Sequence, residues 1–346
     1  METKSTLEVS KMDRLKKRIP KPIYGFAKNI YSSYKIKKFY NYDLKRFKSG
    51  YIAQYKNASE EQLEAYLTFF SHSIEKGLSH TDFRANFGRR ALTSLAEVMF
   101  VYNEKNYNKN NERYLVALSV LKNYLAVHEK KGFQTTIANE LFTDDFLGEV
   151  RNADIKLSGT IKVVKEDKID NQKKNFFELS NGRHSVREFS DKKVDTTLIR
   201  NAVEISSKTP SVCNRQASRV YAISDEKKIA EVLKVQKGFN GYKLPPVLML
   251  VTATNNMLVS PLERNEAFID GGLFSMSLLY SLEYHGLAAC ALNAMLSSDD
   301  ENRIKDILNV PDAEVLIMFI ATGYFKEEVN SPRSYRDSVE KILKEI

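Results

Sequence analysis

The chain reads as an α+β protein, with a layered mixed α/β domain in its C-terminal half preceded by a smaller all-helical domain. Three observations predict this. From Ser59 to about Gly132, apolar residues recur at helical spacing between recognisable caps and stops. From about residue 176 onward, short apolar runs alternate with helical segments and no hairpin signal joins them. At 346 residues the chain is long enough for two domains with buried cores.

The first stretch, residues 1–57, is a basic aromatic arm. Residues 1–60 hold 15 Lys and Arg against 5 Asp and Glu, which leaves 38 against 39 for residues 61–346. Tyr24, Phe26, Tyr31, Tyr34, Phe39, Tyr40, Tyr42, Phe47, Tyr51 and Tyr55 are interleaved with those cations. Such a pattern can hold an anionic membrane surface or an acidic protein partner. It also suits a segment whose aromatics pack on the body while its lysines face water. It matches no nucleic-acid module, so nucleic acid is a poor partner. Pro20 and Pro22 are expected to prevent one continuous helix.

Residues 58–132 form the helical domain. Ser59-Glu60-Glu61-Gln62 is a capping box, after which Leu63, Tyr66, Leu67, Phe70 and Ile74 share a helix face. A second helix is expected from about Arg89 to Tyr102, and a third from Glu112 to Lys130, stopped by Gly132. His72 and Glu75 share one face of the first helix. With no third ligand in evidence, they read as a buried polar cluster rather than a metal site. Residues 133–175 look like a connector carrying one strand, Ile161–Val164.

The layered domain, 176–346, opens with a short helix over Phe176–Gly182. Asp195 caps a helix from Thr196 to Ser207, Ser218–Ser224 alternates as a strand, and Asp225–Gln236 is helical. Pro246–Ala253 and Glu314–Tyr324 are buried strands by their continuous apolar runs. Between them fall a long helix over Glu263–His285, a strand at Leu287–Leu292 and a helix at Ser298–Leu308. Gly271, Gly272, Ser275 and Ser277 on the long helix suggest close helix–helix contact across a dimer, or internal packing.

Composition and motifs exclude several function classes. Two cysteines, Cys213 and Cys290, cannot build a disulfide framework and suit a reducing compartment. The first residues lack the apolar stretch of a secretory signal, and no apolar run is long enough to span a bilayer, so a cytoplasmic protein, peripheral at the membrane at most, is expected. No dinucleotide-binding glycine fingerprint, P-loop, nucleophile elbow or zinc-binding His-Glu-x-x-His helix is present.

Three segments carry chemistry instead. Arg183, Ser185 and Arg187 alternate in an extended stretch, so two guanidinium forks and a hydroxyl share a face suited to a phosphate or a polar ring, or to surface ion pairs. Pro210-Ser211-Val212-Cys213-Asn214-Arg215-Gln216 is a helix-to-strand loop whose hydroxyls and amides can hydrogen-bond a heterocycle. Arg333, after Ser331-Pro332, is a second candidate phosphate anchor.

In this order and spacing, over about residues 176–340, the segments resemble the nitroreductase family of FMN-dependent flavoproteins, here with a helical N-terminal extension. The Gly286–Cys290 strand and Gly323-Tyr324 fit the same pattern. The resemblance implies a nitroreductase-like layered sandwich and FMN as cofactor. Arg183, Ser185 and Arg333 would hold the phosphate, and His184 would orient their loop. Arg187 would lie against the pyrimidine edge of the flavin, where Asn214 would hydrogen-bond, with Gln216 in the same motif. Leu292-Asn293-Ala294 would face flavin N5 through backbone N–H groups. Pro210 and Ser211 would come from a partner subunit, which implies a homodimer. The activity implied is hydride transfer from NAD(P)H through the flavin to a small-molecule electron acceptor, with no catalytic acid or base. Alternatives are flavin-dependent modification of a sugar or peptide intermediate, and a non-catalytic flavin-fold scaffold on a membrane-associated assembly.

Overall fold

The computed structural model describes residues 20–346. The first 19 residues of the arm lie outside the described residues, together with the reading of a missing secretory signal.

Helix α1 (Lys21–Gly50) is one unbroken helix of 30 residues that begins at the prolines expected to interrupt the arm. Pro20 is the N-cap and Pro22 sits in the first turn, where a missing N–H removes no intrahelical bond. The helix meets the body around Pro261–Glu263. There Arg264 Nη2 donates to Asp43 Oδ1 at 2.8 Å, and its guanidinium lies 5.2 Å from the Phe39 ring centre. Most of its other large apolar side chains stay in solvent, Phe26 at 70% and Phe47 at 67% exposure.

The helical domain is built from α2 (Glu60–Leu78), α3 (Arg89–Glu104) and α4 (Glu112–Lys130). Both bonds of the Ser59–Gln62 capping box are made. Leu63, Leu67 and Ile74 of α2 close on Leu92 and Leu95 of α3 and on Tyr114 and Tyr124 of α4. Helices α5 (Thr136–Leu141) and α6 (Asp144–Asn152) lie in the segment read as a connector. They add Ile137 and Val150 to that same core. Strand β1 (Thr160–Val164) follows.

In the layered domain, α7 (Phe176–Gly182) and α8 (Thr196–Ser206) precede β2 (Ser218–Ile223), α9 (Glu226–Gln236) and β3 (Val247–Thr254). Then come α10 (Glu266–Tyr284), β4 (Leu287–Asn293), α11 (Ser298–Leu308) and β5 (Glu314–Tyr324). The sheet order is β2-β3-β5-β4, every pair antiparallel. Successive residues of β3 point to opposite faces, and both faces are covered. Leu248 and Leu250 meet Ile229 and Val232 of α9 and Ile304 of α11. Val247, Met249 and Val251 meet Ala202 of α8 and Leu278 and Leu282 of α10. All eight β3 residues are therefore buried, which explains the unbroken apolar run. The mixed α+β class expected from the sequence is the class observed.

Strand β6 (Glu328–Pro332) pairs antiparallel with β1, Ser331 opposite Ile161. It was not visible in the sequence, because Glu-Val-Asn-Ser-Pro is largely polar and ends in proline. The pairing ties the connector to the C-terminal segment and ends immediately before Arg333.

A bulge explains one of the small residues of α10. Val251 of β3 faces Met318 of β5 while Thr252 faces Leu316, so Ile317 is an extra residue. A Cβ placed on Gly271 would stand 2.6 Å from Ile317 Cγ1, whereas one on Gly272 would meet nothing within 4 Å. Gly271 thus serves helix–sheet packing inside the chain. Gly271→Ala is expected to destabilise the protein by about 1–3 kcal/mol through overpacking. Gly272→Ala should be neutral or stabilising by up to about 1 kcal/mol. Thermal melts of the two variants check this, and equal effects would sink the packing account.

Candidate functional site

The stretch from Arg183 to Arg187 is held from three sides. Before it, Lys168 Nζ donates to the Gly182 carbonyl and to Glu283 Oε1, the latter at 2.6 Å. That ion pair is buried, Lys168 at 6% and Glu283 at 3% exposure, so the exit of α7 is anchored to α10. Beside it, Ser185 bridges to Ala289, and Val186 N donates to the Ala289 carbonyl at 3.1 Å. The other edge of β4 is taken by β5, so the stretch lies on the free edge of β4. After it in sequence but next to it in space, Ser331 Oγ donates to the Ser185 carbonyl at 3.1 Å. Arg333 N donates to the Gly159 carbonyl at 2.9 Å. Strand β6 therefore brings Arg333 to the same place as Arg183 and Ser185.

Charge is the distinctive property here. Arg187 is 7% exposed. Its Nη1 donates to the Ser185 carbonyl at 3.3 Å, but its Nε is buried with no hydrogen-bond partner. The ion pairs made by described arginines involve Arg46, Arg89, Arg113, Arg215 and Arg264. None involves Arg183, Arg187, Arg333 or Arg336. Two histidines beside these cations are driven neutral. Burial, reinforced by Arg187, Lys76 and Arg336, pushes His72 down to about 4. Burial, with Lys168, Arg183 and Arg336, does the same to His184.

The carboxylate of Glu75 is committed to backbone. Its Oε1 accepts from Gly159 N at 3.0 Å and its Oε2 from Ser334 N at 3.2 Å. Burial pushes its pKa up to about 7 against the pull of those hydrogen bonds and of Arg333. Among the described residues no group of three or more His, Cys, Asp or Glu could hold a metal ion. The arrangement suits an anion with hydrogen-bond acceptors.

Asn293 ends β4, the strand that carries Ala289, and its side chain is exposed. Its carbonyl accepts from Gln236 Nε2 at 3.0 Å, and its Oδ1 accepts from Met295 N at 3.1 Å. It belongs to the same edge of the sheet as Arg183, His184, Ser185, Arg187 and Arg333.

The second motif does not. Pro210, Ser211, Asn214 and Gln216 lie in the loop that leads into β2, at the opposite edge of the sheet. Four strand spacings of about 4.8 Å separate β2 from Ser185, about 19 Å, beyond the reach of one side chain. The loop is tightly built. Val212 N donates to both Asp270 carboxylate oxygens at 3.2 Å, and Gln216 N donates to Ser211 Oγ at 3.0 Å. Cys213, Asn214 and Gln216 all adopt left-handed backbone, φ 49°, 55° and 52°, a strained arrangement for non-glycine residues. The loop borders a mainly apolar groove of about 780 Å³ between α8 and α10. Next to it Phe268 and Leu273 are half in solvent. One chain thus presents the two motifs at opposite edges of one sheet.

Sequence reading missed Lys76, Gln236 and the role of Ser331. Lys76 lies in the polar turn His72-Ser73-Ile74-Glu75-Lys76, which is the only local signal. Nothing near Gln236 or Ser331 announces their partners, which lie 57 and 146 residues away.

Against known proteins, residues 181–245 match the family model described as Nitroreductase family. The resemblance read from the motifs therefore holds for the segment that contains the Arg183 stretch and the Pro210–Gln216 loop. No curated protein matches the chain. Among solved structures, the nitroreductase family protein of Streptococcus pneumoniae TIGR4 is 21% identical, with a TM-score of 0.42, over 50% of this chain and 100% of that one. A nitroreductase family protein of Clostridium difficile 630 is 21% identical, TM-score 0.42, over 49% and 98%. An FMN-dependent nitroreductase of Clostridium difficile R20291 is 17% identical, TM-score 0.41, over 48% and 96%.

The depressed histidines give a pH prediction. Unfolded, His72 and His184 take up protons near their ordinary 6.5, whereas folded they refuse them until about 4. Between those values the unfolded state binds more protons, so their contribution to stability is full above 6.5 and is lost as pH falls toward 4. His72→Gln should flatten this acid limb relative to wild type in denaturant titrations at pH 6.5 and 4.5. An unchanged slope would mean that His72 is not held neutral.

Proposed function

We propose that the protein is an FMN-dependent oxidoreductase of the nitroreductase type that works as a homodimer. The observation that carries this reading is Arg187, a buried guanidinium with an unpartnered Nε, near three further arginines none of which makes an ion pair among the described residues. Burying such a charge is costly unless something with acceptor atoms meets it. FMN has both a dianionic phosphate and a ring edge rich in acceptors, so the residues fit it. FMN, when bound, supplies the two-electron carrier between NAD(P)H and a small-molecule acceptor.

The protein's part is binding, orientation and electrostatics. Arg183, Ser185 and Arg333 hold the phosphate, with Arg336 close enough to add to the field there. His184, neutral and wedged among cations, keeps the loop in place and moves no proton. Arg187 faces the ring edge and favours negative charge on it. Asn293 supplies the backbone at the reacting side. The Pro210, Ser211, Asn214 and Gln216 loop reaches this cradle from a second copy, because within one chain it stands at the far edge of the sheet. The apolar groove between α8 and α10, with Phe268 and Leu273 beside it, is the face that the second copy covers.

The test is a visible spectrum of the protein after reconstitution with FMN and desalting, then with NADPH added without oxygen. Flavin bands that survive desalting and bleach with NADPH are expected. Arg187→Leu should weaken FMN binding at least tenfold, about the cost of a hydrogen bond to a charged group. No bands after reconstitution would overturn the proposal.

A second reading keeps the flavin fold but makes the chain a scaffold at a membrane surface. It is favoured by α1, where Lys28 to Lys48 include seven cations against the single acid Asp43 and Phe26 and Phe47 stand in solvent. Among the described residues no helix is long and apolar enough to cross a membrane. An anionic interface would take such a helix on its surface. Co-sedimentation with phosphatidylserine vesicles should then be strong at low salt and fall steeply as salt is raised. Absence of binding would return α1 to a protein partner.

A further inference from the structure

One turn of α2 is fastened to the layered domain at two places, and the two places are the two ends of the cradle. Glu75 grips the backbone on either side of Arg333, through Ser334 N directly and through Gly159, whose carbonyl takes Arg333 N. The next residue, Lys76, reaches the other end. Its Nζ donates to the Gly238 carbonyl at 3.2 Å. Gly238 N donates to Gln236 Oε1 at 2.7 Å, and Gln236 Nε2 donates to the Asn293 carbonyl at 3.0 Å. Three hydrogen bonds in series therefore join an ammonium of the helical domain to the end of β4.

Several features separate this series from incidental packing. Gln236 is 6% exposed, and both ends of its amide are used. A Cβ on Gly238 would stand 2.7 Å from Gln236 Nε2, so the corner closes this tightly only with glycine. Lys76 makes none of the ion pairs seen among the described residues, although it is partly buried beside Arg187, and burial with that charge lowers its pKa. Its own carbonyl accepts from Tyr242 Oη at 3.0 Å, and the Tyr242 ring stacks on His80 at 3.8 Å, which fixes the backbone from which the ammonium projects. An apolar side chain of the same length would fill that space without the desolvation cost. The charge has a use at the end of the series: it pins the Gly238 corner, and the Gln236 amide, which accepts at one end and donates at the other, orients and polarises the Asn293 peptide.

We propose that Lys76 is a positioning residue contributed by the helical domain, setting the Asn293 end of the cradle through Gly238 and Gln236. The inference rests on the reading that FMN occupies this cradle. It gives the helical domain a part in the flavin's properties.

The test uses the full chain loaded with FMN. Lys76→Met, Gln236→Leu, the double variant and Lys76→Arg are compared for FMN affinity by fluorescence titration and for the midpoint potential of bound FMN by dye equilibration. Each single variant should weaken FMN by about tenfold, the cost of a charge-assisted hydrogen bond. Both should move the potential in the same direction. The double variant should go no further than the larger single one, as expected for residues acting in one series, and Lys76→Arg should recover most of the loss. Wild-type affinity and potential in both single variants would overturn the proposal, as would independent effects that sum in the double variant. Gln236→Leu, made outside the helical domain, decides the matter if Lys76→Met fails to fold. Wild-type protein that retains no FMN would overturn the flavin reading itself, a result distinct from flavin that binds and ignores Lys76.

Discussion

The guanidinium of Arg187, buried without a counter-charge, is the constraint around which the rest of the molecule is arranged. A cation out of water needs acceptors, and this chain offers it one carbonyl and leaves its Nε unpaired. Its neighbours do not relieve it. His72 and His184 stay neutral because protonation would add to the repulsion and because they are themselves buried. Glu75, the carboxylate of the adjoining α2 turn, is spent on backbone N–H groups and burial raises its pKa. The result is a cluster of cations without ion pairs, an arrangement that suits an anionic group.

The helical domain contributes to that cluster, since His72 and Lys76 of α2 lie near Arg187. Helix α2 contacts β6, and Glu75 bonds the backbone on either side of Arg333 there. Tyr335 joins the helical core from the C-terminal segment, and Thr81 N donates to Glu188 Oε1 at 3.0 Å two residues past Val186. A helical domain that only decorated the fold would not need buried Glu75 and partly buried Lys76 at the boundary. The geometry of the sheet sets a second condition. Because β2 and the Arg183 stretch occupy opposite edges, the two motifs cannot serve one site within one chain. The apolar groove next to the Pro210–Gln216 loop supplies a surface on which a second chain can sit.

Much of the fold was legible because its signals are local. The Ser59–Gln62 box, the Asp195 cap and the buried run of β3 are each encoded within a few residues, and each element appears where those residues place it. The prolines of the arm and strand β6 show the difference between a local signal and a distant one. Pro20 and Pro22 interrupt the arm by marking the start of α1, since the first turn needs no N–H from them. Strand β6 has no apolar alternation to find. It exists because β1 offers it an edge.

The sequence by itself determined most of the helical and strand segments, the α+β class, and the residue types of the candidate site, including Arg183, Ser185, Arg187 and Arg333. Hydrophobic periodicity and capping act over one or two turns, so the chain carries that information wherever it is read. Only the tertiary structure decided which of those residues stand together. It joined Arg333 to Ser185 through Ser331, set the Pro210–Gln216 loop at the far edge, assigned Gly271 to Ile317, and ran a line of hydrogen bonds from Lys76 to Asn293. Those outcomes depend on strand register, on the bulge in β5 and on the burial of charge, and none of these exists until distant parts of the chain have closed on one another.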